Sequence, residues 1–206
     1  MEDTTSLNSL ADKKDGTDFY DPELATHGGP YTSKFEIGQV TIRRPLDCRL
    51  VPMSALAISF VPWLAPFAAV AFACFGQKPF LGVYALILSG TCAILSEIVM
   101  KPIIGEPRPA TSAVRTSDGR LKNGMPSGHV LNWQALSTWV LLELFVHISF
   151  GLATGLSVIL AIMMALVPWA RVQNGDHTLQ QVSVGAGTGT AVGLLAFGVR
   201  LYFFVE

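Results

Sequence analysis

Three short motifs in the chain bring together the residue types that phosphate chemistry needs. They span residues 101–109, 126–129 and 171–181. Cations bind phosphate oxygens, and histidine can either attack phosphorus or protonate the oxygen that leaves. The motifs therefore predict a site that binds and hydrolyses a phosphate ester. Its candidate functional residues are, in chain order, Lys101, Arg108, Ser127, Gly128, His129, Arg171, His177 and Gln181.

The phosphate-binding part of this predicted site has two kinds of donor. Arg108 and Arg171 each offer a planar fork of N–H groups to phosphate oxygens, and Lys101 offers a compact charge. Ser127 and Gly128 stand where an apolar helix is predicted to begin. Backbone N–H groups at a helix start, and the Ser127 hydroxyl, can bind an anion. We expect these five residues to hold the phosphate.

The two histidines divide the remaining steps. Gln181 follows His177 by four residues, so the two lie on one face of a helix. Such a partner fixes the ring tautomer and leaves the other ring nitrogen free to attack phosphorus. His129 is then the general acid that protonates the leaving oxygen. Because no Asp or Glu cluster with magnesium-ligand spacing accompanies the motifs, we expect no metal and no other cofactor.

Long apolar runs must position these motifs, since half of the 206 residues are hydrophobic. Several runs approach the ~20 residues that a helix needs to cross a bilayer. The chain is therefore predicted to be an all-α polytopic membrane helical bundle with about five to six transmembrane helices. The five runs cover residues 51–75, 80–100, 129–148, 150–169 and 182–204.

The order of the runs predicts where the motifs meet. The first motif follows the second run, and the second motif precedes the third run. The third run crosses the membrane and the fourth returns, so the third motif comes back to the same face. All three motifs are expected at one membrane face. Within the first run, Pro52, Pro62 and Pro66 predict a kink or a break.

The part of the chain before the first run is polar. Residues 1–50 are expected to form an N-terminal tail and juxtamembrane segment, and residues 51–206 the transmembrane phosphatase domain. Asp, Ser, Thr and Gly are frequent in residues 1–34, which predicts a mobile tail. Residues 35–50 carry an arginine cluster, which is typical of contact with lipid headgroups. Its members are Arg43, Arg44 and Arg49.

Polar and small residues inside the apolar runs have structural interpretations. A glycine stripe at spacing four favours close helix packing. Glu97 is expected to pair with Lys101, one helical turn away. Glu143 and His147 have the same spacing and are expected ~20 Å from His129. Arg200 is expected to anchor the last helix at the opposite face. The stripe consists of Gly185, Gly189 and Gly193.

Over residues 80–205 the chain resembles the type-2 phosphatidic acid phosphatase superfamily. That family has Lys-x6-Arg-Pro, then Pro-Ser-Gly-His, then Ser-Arg-x5-His-x3-Asp. The chain has the first two motifs in full, but its third motif has Ala170 in place of Ser and Gln181 in place of Asp. The resemblance implies a phosphohistidine intermediate on His177, hydrolysed later by water, with His129 as acid. It also implies that no metal takes part.

The third motif, from His177 and Thr178 to Gln181 and Val182, is similar to that of the dolichyl diphosphate phosphatase branch. This resemblance implies hydrolysis of polyprenyl (dolichyl) diphosphate to the monophosphate, which recycles the lipid carrier of N-glycosylation in the endoplasmic reticulum. A phosphatidate or sphingoid-phosphate phosphatase is an alternative. Since Ala170 and Gln181 both depart from the family pattern, a non-catalytic lipid-phosphate-binding scaffold is another.

The charge balance points to partners. With 14 Lys and Arg against 15 Asp and Glu, no nucleic-acid partner is expected, and the predicted partners are a lipid phosphate or diphosphate and the membrane. The pattern contains no indication of oligomeric state. Basic residues concentrate on the motif side, which would put that side in the cytosol. The dolichyl branch implies the lumenal face, so both orientations stay open.

Overall fold

In the computed structural model, the chain divides into two units, Met1–Cys48 and Arg49–Glu206. The structure describes the backbone of residues 19–20, 31–37 and 40–45, and residues 50–112, 114–116 and 120–204. The side chains of Arg43, Arg44 and Arg49 lie outside the described residues. The division at residue 50 into a tail and a phosphatase domain stays a prediction.

The first unit contains an antiparallel sheet of order β1-β2-β3. In its register, Lys34 pairs with Phe19 and with Arg43. The tail predicted over residues 1–34 did not include strands, so β1 and the start of β2 differ from that expectation. The strands contain residue types that favour extended backbone, namely Tyr, Phe, Ile, Val and Thr. This preference is a weak indication of strands in a segment whose composition is otherwise polar. The strands are β1 Phe19–Tyr20, β2 Tyr31–Ile37 and β3 Val40–Pro45.

The second unit is all-helical, as predicted. Four helices or helix pairs are long and apolar enough to cross a membrane: Leu50–Phe75, Pro79–Ile104, Phe150–Gln173 and Leu179–Phe203. The regular elements are α1 Leu50–Ser59, α2 Val61–Phe75, α3 Pro79–Ile94, a π-helix Leu95–Met100, α4 Lys101–Ile104, α5 Gly128–His147, α6 Phe150–Gln173 and α7 Leu179–Phe203. Four of the five predicted crossings correspond to these spans, and the third, α5, is not among them.

Helix α5 is surrounded by other helices, so it tolerates more polar residues than a helix that faces lipid. It packs against α3, α6 and α7, and its apolar face joins a core with α3 and α7 that includes Leu131 and Trp139. Polar side chains on α5 bond to adjacent helices: Gln134 Nε2 donates to Met164 O at 2.7 Å, and Asn132 Nδ2 donates to Ser89 Oγ at 2.9 Å. These bonds satisfy the NH₂ groups of the two amides, whereas Gln134 Oε1 and Asn132 Oδ1 have no hydrogen-bond partner among the described residues.

The predicted break in the first apolar run is present. Helix α1 ends at Ser59, and α2 begins at Val61, with Pro62 in its first turn. Proline is favoured there because its missing N–H would have no helical partner. Pro66 lies inside α2. The break lets one apolar run form two helical segments.

The glycine stripe gives the close helix packing that was predicted, and the structure identifies the backbone of α5 as its partner. A Cβ atom on Gly185 would lie 2.9 Å from Ser127 O, one on Gly193 would lie 2.5 Å from Ala135 O, and one on Gly189 would collide with Leu131 O. Small residues allow this approach of two helix backbones. The stripe therefore brings the start of α7, which carries the third motif, against the start of α5, which carries the second.

Gly189→Ala should destabilise the bundle by about 1–3 kcal/mol, because the added methyl group meets backbone rather than a movable side chain. Gly187→Ala is the matched control. It lies in the same helix with open space around its Cβ position, where alanine is favoured by up to ~1 kcal/mol. Thermal unfolding in detergent would measure both. Equal stability of the two variants would contradict the packing account.

The far half of the bundle holds a buried ionic cluster that corrects one prediction. Arg200 is only 6% exposed, so its role as a surface anchor was wrong. Its Nη2 lies 3.0 Å from Glu143 Oε2, and His147 Nε2 lies 3.1 Å from the same oxygen. The predicted pairing of Glu143 with His147 is present, and Lys78 Nζ reaches the other nitrogen of that ring. A buried carboxylate needs such cations.

Candidate active site

Lys101 reaches the site through an irregular turn. The π-helix Leu95–Met100 precedes it, and the Lys101 N–H donates to Ser96 O, five residues back. Such π-turns are frequent at functional sites. The Lys101 ammonium forms the predicted ion pair with Glu97. Helix α4 then ends at Gly105, whose φ of 67° is the left-handed conformation that glycine adopts readily.

Arg108 lies in the loop after α4 and is buried, with 9% of its surface exposed. The loop is fixed by a backbone contact with the segment that leads back toward α5: Arg108 N donates to Lys122 O at 3.1 Å. The Asn123 side chain donates to Lys101 O at 3.1 Å. These bonds hold the two cations of the first motif on one rigid segment.

The second motif connects directly to the third. Ser127 precedes α5, and its N–H donates to Gln181 O at 3.1 Å. At Gly128 a Cβ atom would lie 2.8 Å from both Ser96 Oγ and Glu97 Oε1. A side chain at position 128 would therefore have to displace these two side-chain atoms. The three motifs meet at one end of the bundle, as their order in the chain predicted.

The third motif fills the connection between α6 and α7. Arg171, in the last turn of α6, pairs through Nη1 with Asp176 Oδ2 at 3.1 Å. Thr178 caps α7 with a capping box in which its hydroxyl accepts from the Gln181 N–H at 3.2 Å. The cap fixes where α7 begins. It thereby fixes His177, one residue before the cap, against the bundle.

His177 has a single defined partner. Its Nδ1 lies 3.1 Å from Gln181 Oε1, the contact that their spacing predicted. His177 Nε2 is buried and has no hydrogen-bond partner among the described residues. With the proton held on Nδ1 by the amide oxygen, Nε2 carries the lone pair. This geometry suits a nucleophile.

Several other buried polar atoms of the predicted site have no hydrogen-bond partner among the described residues. Buried donors are nearly always satisfied in proteins, so such a group needs an explanation. A phosphate anion is a ligand that accepts hydrogen bonds from donors of this kind. The donor atoms are Arg108 Nε, Arg108 Nη1, Ser127 Oγ and Arg171 Nε.

A cavity of about 510 Å³ opens beside Arg108. Lys101, Arg108 and His129 line it, and so do Arg120 and Lys122 from the loop before α5. Its wall is therefore strongly cationic. Among the described residues, no group of three His, Cys, Asp or Glu side chains could hold a metal ion.

His129 lies in the first turn of α5 and contacts an aromatic side chain from the first apolar run. Its ring centroid is 5.4 Å from that of Trp63 on α2, with the planes tilted by 52°. The indole covers one side of the imidazole. His129 is thus held between α2 and the cationic cavity, where its role as acid stays a prediction.

The electrostatic environment of the site favours the neutral form of His177 and the binding of anions. Burial lowers the pKa of His177 well below its ordinary value, and the charges of Arg108 and Arg171 lower that pKa further. Burial, followed by the charge of Arg171, lowers the pKa of Arg108 to about 10. Two desolvated guanidinium groups repel each other until an anion lies between them.

The stability of the protein should fall in acid because of His177. Its pKa is about 6.5 in the unfolded chain and lower in the fold, so as pH drops the unfolded state takes up the proton first. Stability is then lost below pH 6.5, by up to about 1.4 kcal/mol per pH unit, until the folded pKa is reached. His177→Gln should flatten this dependence in thermal unfolding between pH 7 and pH 5. Parallel curves for both proteins would contradict it.

The structure also shows neighbours that sequence reasoning missed. Glu106 bonds to Gln181, Asp176 to Arg171, and Trp63 contacts His129. Glu106 lies inside the first motif and Asp176 inside the third, so their positions in the motifs could have marked them as site residues. Trp63 had no such signal, because its contact joins residues far apart in the chain.

A polytopic helical membrane protein with a cationic, histidine-containing site is thereby defined, and comparisons with known proteins assign its family. A model of the PAP2 superfamily matches residues 80–204, more than half of the chain, so the protein belongs to that superfamily. A solved structure, the first transmembrane PAP2 type phosphatidylglycerolphosphate phosphatase from Bacillus subtilis, is similar with a TM-score of 0.65. Its sequence identity is 22%, over 78% of this chain and 81% of that chain. The comparison with curated proteins gave no match.

The protein is a PAP2-type integral-membrane lipid phosphatase, a hydrolase that acts on lipid phosphates. The predicted superfamily and the multi-pass membrane location are confirmed. A substrate inside the membrane fits this assignment.

Proposed function

We propose that the protein hydrolyses a polyprenyl diphosphate, such as dolichyl diphosphate, to the monophosphate. The observation that carries the proposal is the contact of His177 with an amide, Gln181, where the family pattern has a carboxylate. An amide orients the ring without adding the charge that would make it more basic. A phosphate monoester is a better leaving group than an alkoxide, so a less basic nucleophile suffices for a diphosphate.

In the proposed reaction, His177 Nε2 attacks the terminal phosphorus in line with the bridging oxygen. The phosphorus–oxygen bond breaks, and the bridging oxygen keeps the electron pair and takes a proton from His129. Lys101, Arg108 and Arg171 stabilise the charge on the transferring group. Water then attacks the phosphohistidine, releases inorganic phosphate and restores His177.

The cationic wall of the cavity supports a substrate with two phosphates. Beyond the groups that would hold the transferring phosphate, Arg120 and Lys122 line the same cavity. Their charges would stabilise the departing monophosphate. The membrane of residence is proposed to be the endoplasmic reticulum, with the lipid recycled for N-glycosylation; this rests on the likeness of residues 177–182 to the dolichyl branch.

The test is phosphate release by purified protein from a lipid panel in the presence of chelator. The panel contains dolichyl diphosphate, dolichyl monophosphate, phosphatidate, sphingosine phosphate and phosphatidylglycerol phosphate. We expect kcat/KM to be highest for the diphosphate, and Gln181→Asp to move preference toward monophosphates. A preference of the wild type for phosphatidate would overturn the substrate. Loss of activity in chelator would overturn the metal-free mechanism.

A further inference from the structure

The amide of Gln181 makes four hydrogen bonds that leave it one orientation. Its Oε1 accepts from His177 Nδ1 at 3.1 Å and from the Thr178 N–H at 3.3 Å. Its Nε2 donates to Glu106 Oε1 at 2.8 Å and to Pro107 O at 2.9 Å. Rotating the amide by 180° would place its NH₂ group against a backbone N–H and its oxygen against two acceptors. Both changes are unfavourable.

Glu106 is the only charged group in that set, and its carboxylate is the strongest acceptor. It lies 75 residues from Gln181 in the chain, in the loop of the first motif, and its side chain is half-buried. A hydrogen bond to a carboxylate polarises the amide and makes its oxygen a better acceptor. The family pattern has a carboxylate at position 181. In this chain the carboxylate belongs to Glu106, and the Gln181 amide lies between it and the His177 ring.

We propose that Glu106 is a positioning residue for the phosphatase reaction. Its carboxylate fixes the Gln181 amide, the amide oxygen holds the proton of His177 on Nδ1, and Nε2 is left with its lone pair toward phosphorus. In this chain Glu106 and Gln181 together replace the single Asp of the family pattern. The inference rests on the proposed role of His177 as nucleophile.

A purely structural role for Glu106 would be to tie the first-motif loop to α7. Other contacts already do this: Gly124 N donates to the backbone oxygen of Glu106 at 2.8 Å, and Pro107 O accepts from Gln181. Neither contact needs the Glu106 side chain. Variants of that side chain should therefore fold, and thermal unfolding would verify this for each protein used.

Glu106→Met removes the acceptor and should lower kcat about 10–100-fold with KM nearly unchanged, as is typical when a group behind a catalytic residue is lost. Glu106→Gln keeps an acceptor in the same place and should retain more activity than Glu106→Met. A structural tie alone would lower stability and leave kcat per folded molecule unchanged. Wild-type kcat in folded Glu106→Met would overturn the proposal.

A charge swap provides the sharper test. Gln181→Glu alone places two carboxylates about 2.8 Å apart, so it should lower kcat about 100-fold. Adding Glu106→Gln removes the repulsion between the two carboxylates and places the charge directly on His177, while the unfavourable contact of the new carboxylate with Pro107 O, which accepts from Gln181 Nε2 in the wild type, remains. The double variant should recover at least about 10-fold over Gln181→Glu. Its acid limb in kcat/KM should move to higher pH, because the adjacent carboxylate raises the pKa of His177. If Glu106→Gln lowered kcat in the Gln181→Glu background as it does in the wild type, the proposal would be overturned.

His177→Ala, assayed in parallel, separates this inference from the function beneath it. Full activity of His177→Ala would remove the nucleophile and with it both proposals. An inactive His177→Ala together with a fully active Glu106→Met would remove only the positioning role. Dolichyl diphosphate and phosphatidate are both used as substrates, so that a wrong lipid class does not hide the effect.

Discussion

His177→Ala should lower phosphate release from the lipid substrate by at least about 10⁴-fold. The variant lacks the nitrogen that forms the covalent intermediate, and water would have to attack the phosphate directly. Lipid binding should persist within a few-fold, because Lys101, Arg108 and Arg171 are untouched. The measurements are steady-state phosphate release and the binding of radiolabelled lipid to protein in detergent.

A chemical trap makes this prediction specific. Wild-type protein quenched during turnover of ³²P-labelled substrate should carry acid-labile, base-stable label, and His177→Ala should carry none. More than a tenth of wild-type activity in the variant would contradict the covalent mechanism. If the wild type released no phosphate and both proteins bound lipid equally, the non-catalytic scaffold would be the correct reading of Ala170 and Gln181.

Local sequence signals predicted most of the helices and identified the candidate site residues, whose roles stay predictions. Apolar run length predicted most of the helical bundle, and the prolines of the first run predicted a kink or break there. Glycine spacing predicted close helix packing but did not identify α5 as the partner. The order of the runs predicted that the three motifs converge. The helices, the break and the glycine stripe depend on residues close together in sequence, where helical periodicity applies directly. The convergence of the motifs depends instead on the number of runs between them.

The features that were missed depend on contacts between distant parts of the chain. Arg200 resembles an anchor until Glu143, 57 residues earlier, is known to lie 3.0 Å from it. The polar residues of α5 are buried because neighbouring helices surround this helix. The hydropathy of the α5 sequence alone does not indicate those neighbours. Glu106 belongs to the first motif, but its partner Gln181 belongs to the third. A sequence motif shows which residues are present at which spacing. It does not show which residues of different motifs form hydrogen bonds with each other.

Arg108→Met should lower kcat/KM by about 10²–10³-fold without reducing the stability of the unliganded protein. Arg108 is buried, two of its three guanidinium nitrogens have no partner among the described residues, and the charge of Arg171 acts on it. Asp176 and Glu97 offset only part of this cost. A methionine fills the space without an unpaired charge, so the melting temperature should stay equal or rise.

Arg200→Met is the matched control, because it removes the same residue type at similar burial with the opposite electrostatic consequence. Arg200 is paired, and its loss would leave the buried Glu143 short of a cation, which costs about 3–5 kcal/mol. Its activity per folded molecule should match the wild type. Orthovanadate, a phosphate mimic, should raise the melting temperature of the wild type and of Arg200→Met, and much less that of Arg108→Met. If Arg108→Met were as unstable as Arg200→Met, Arg108 would be a structural cation, and the unpaired donors around it would not be explained by phosphate.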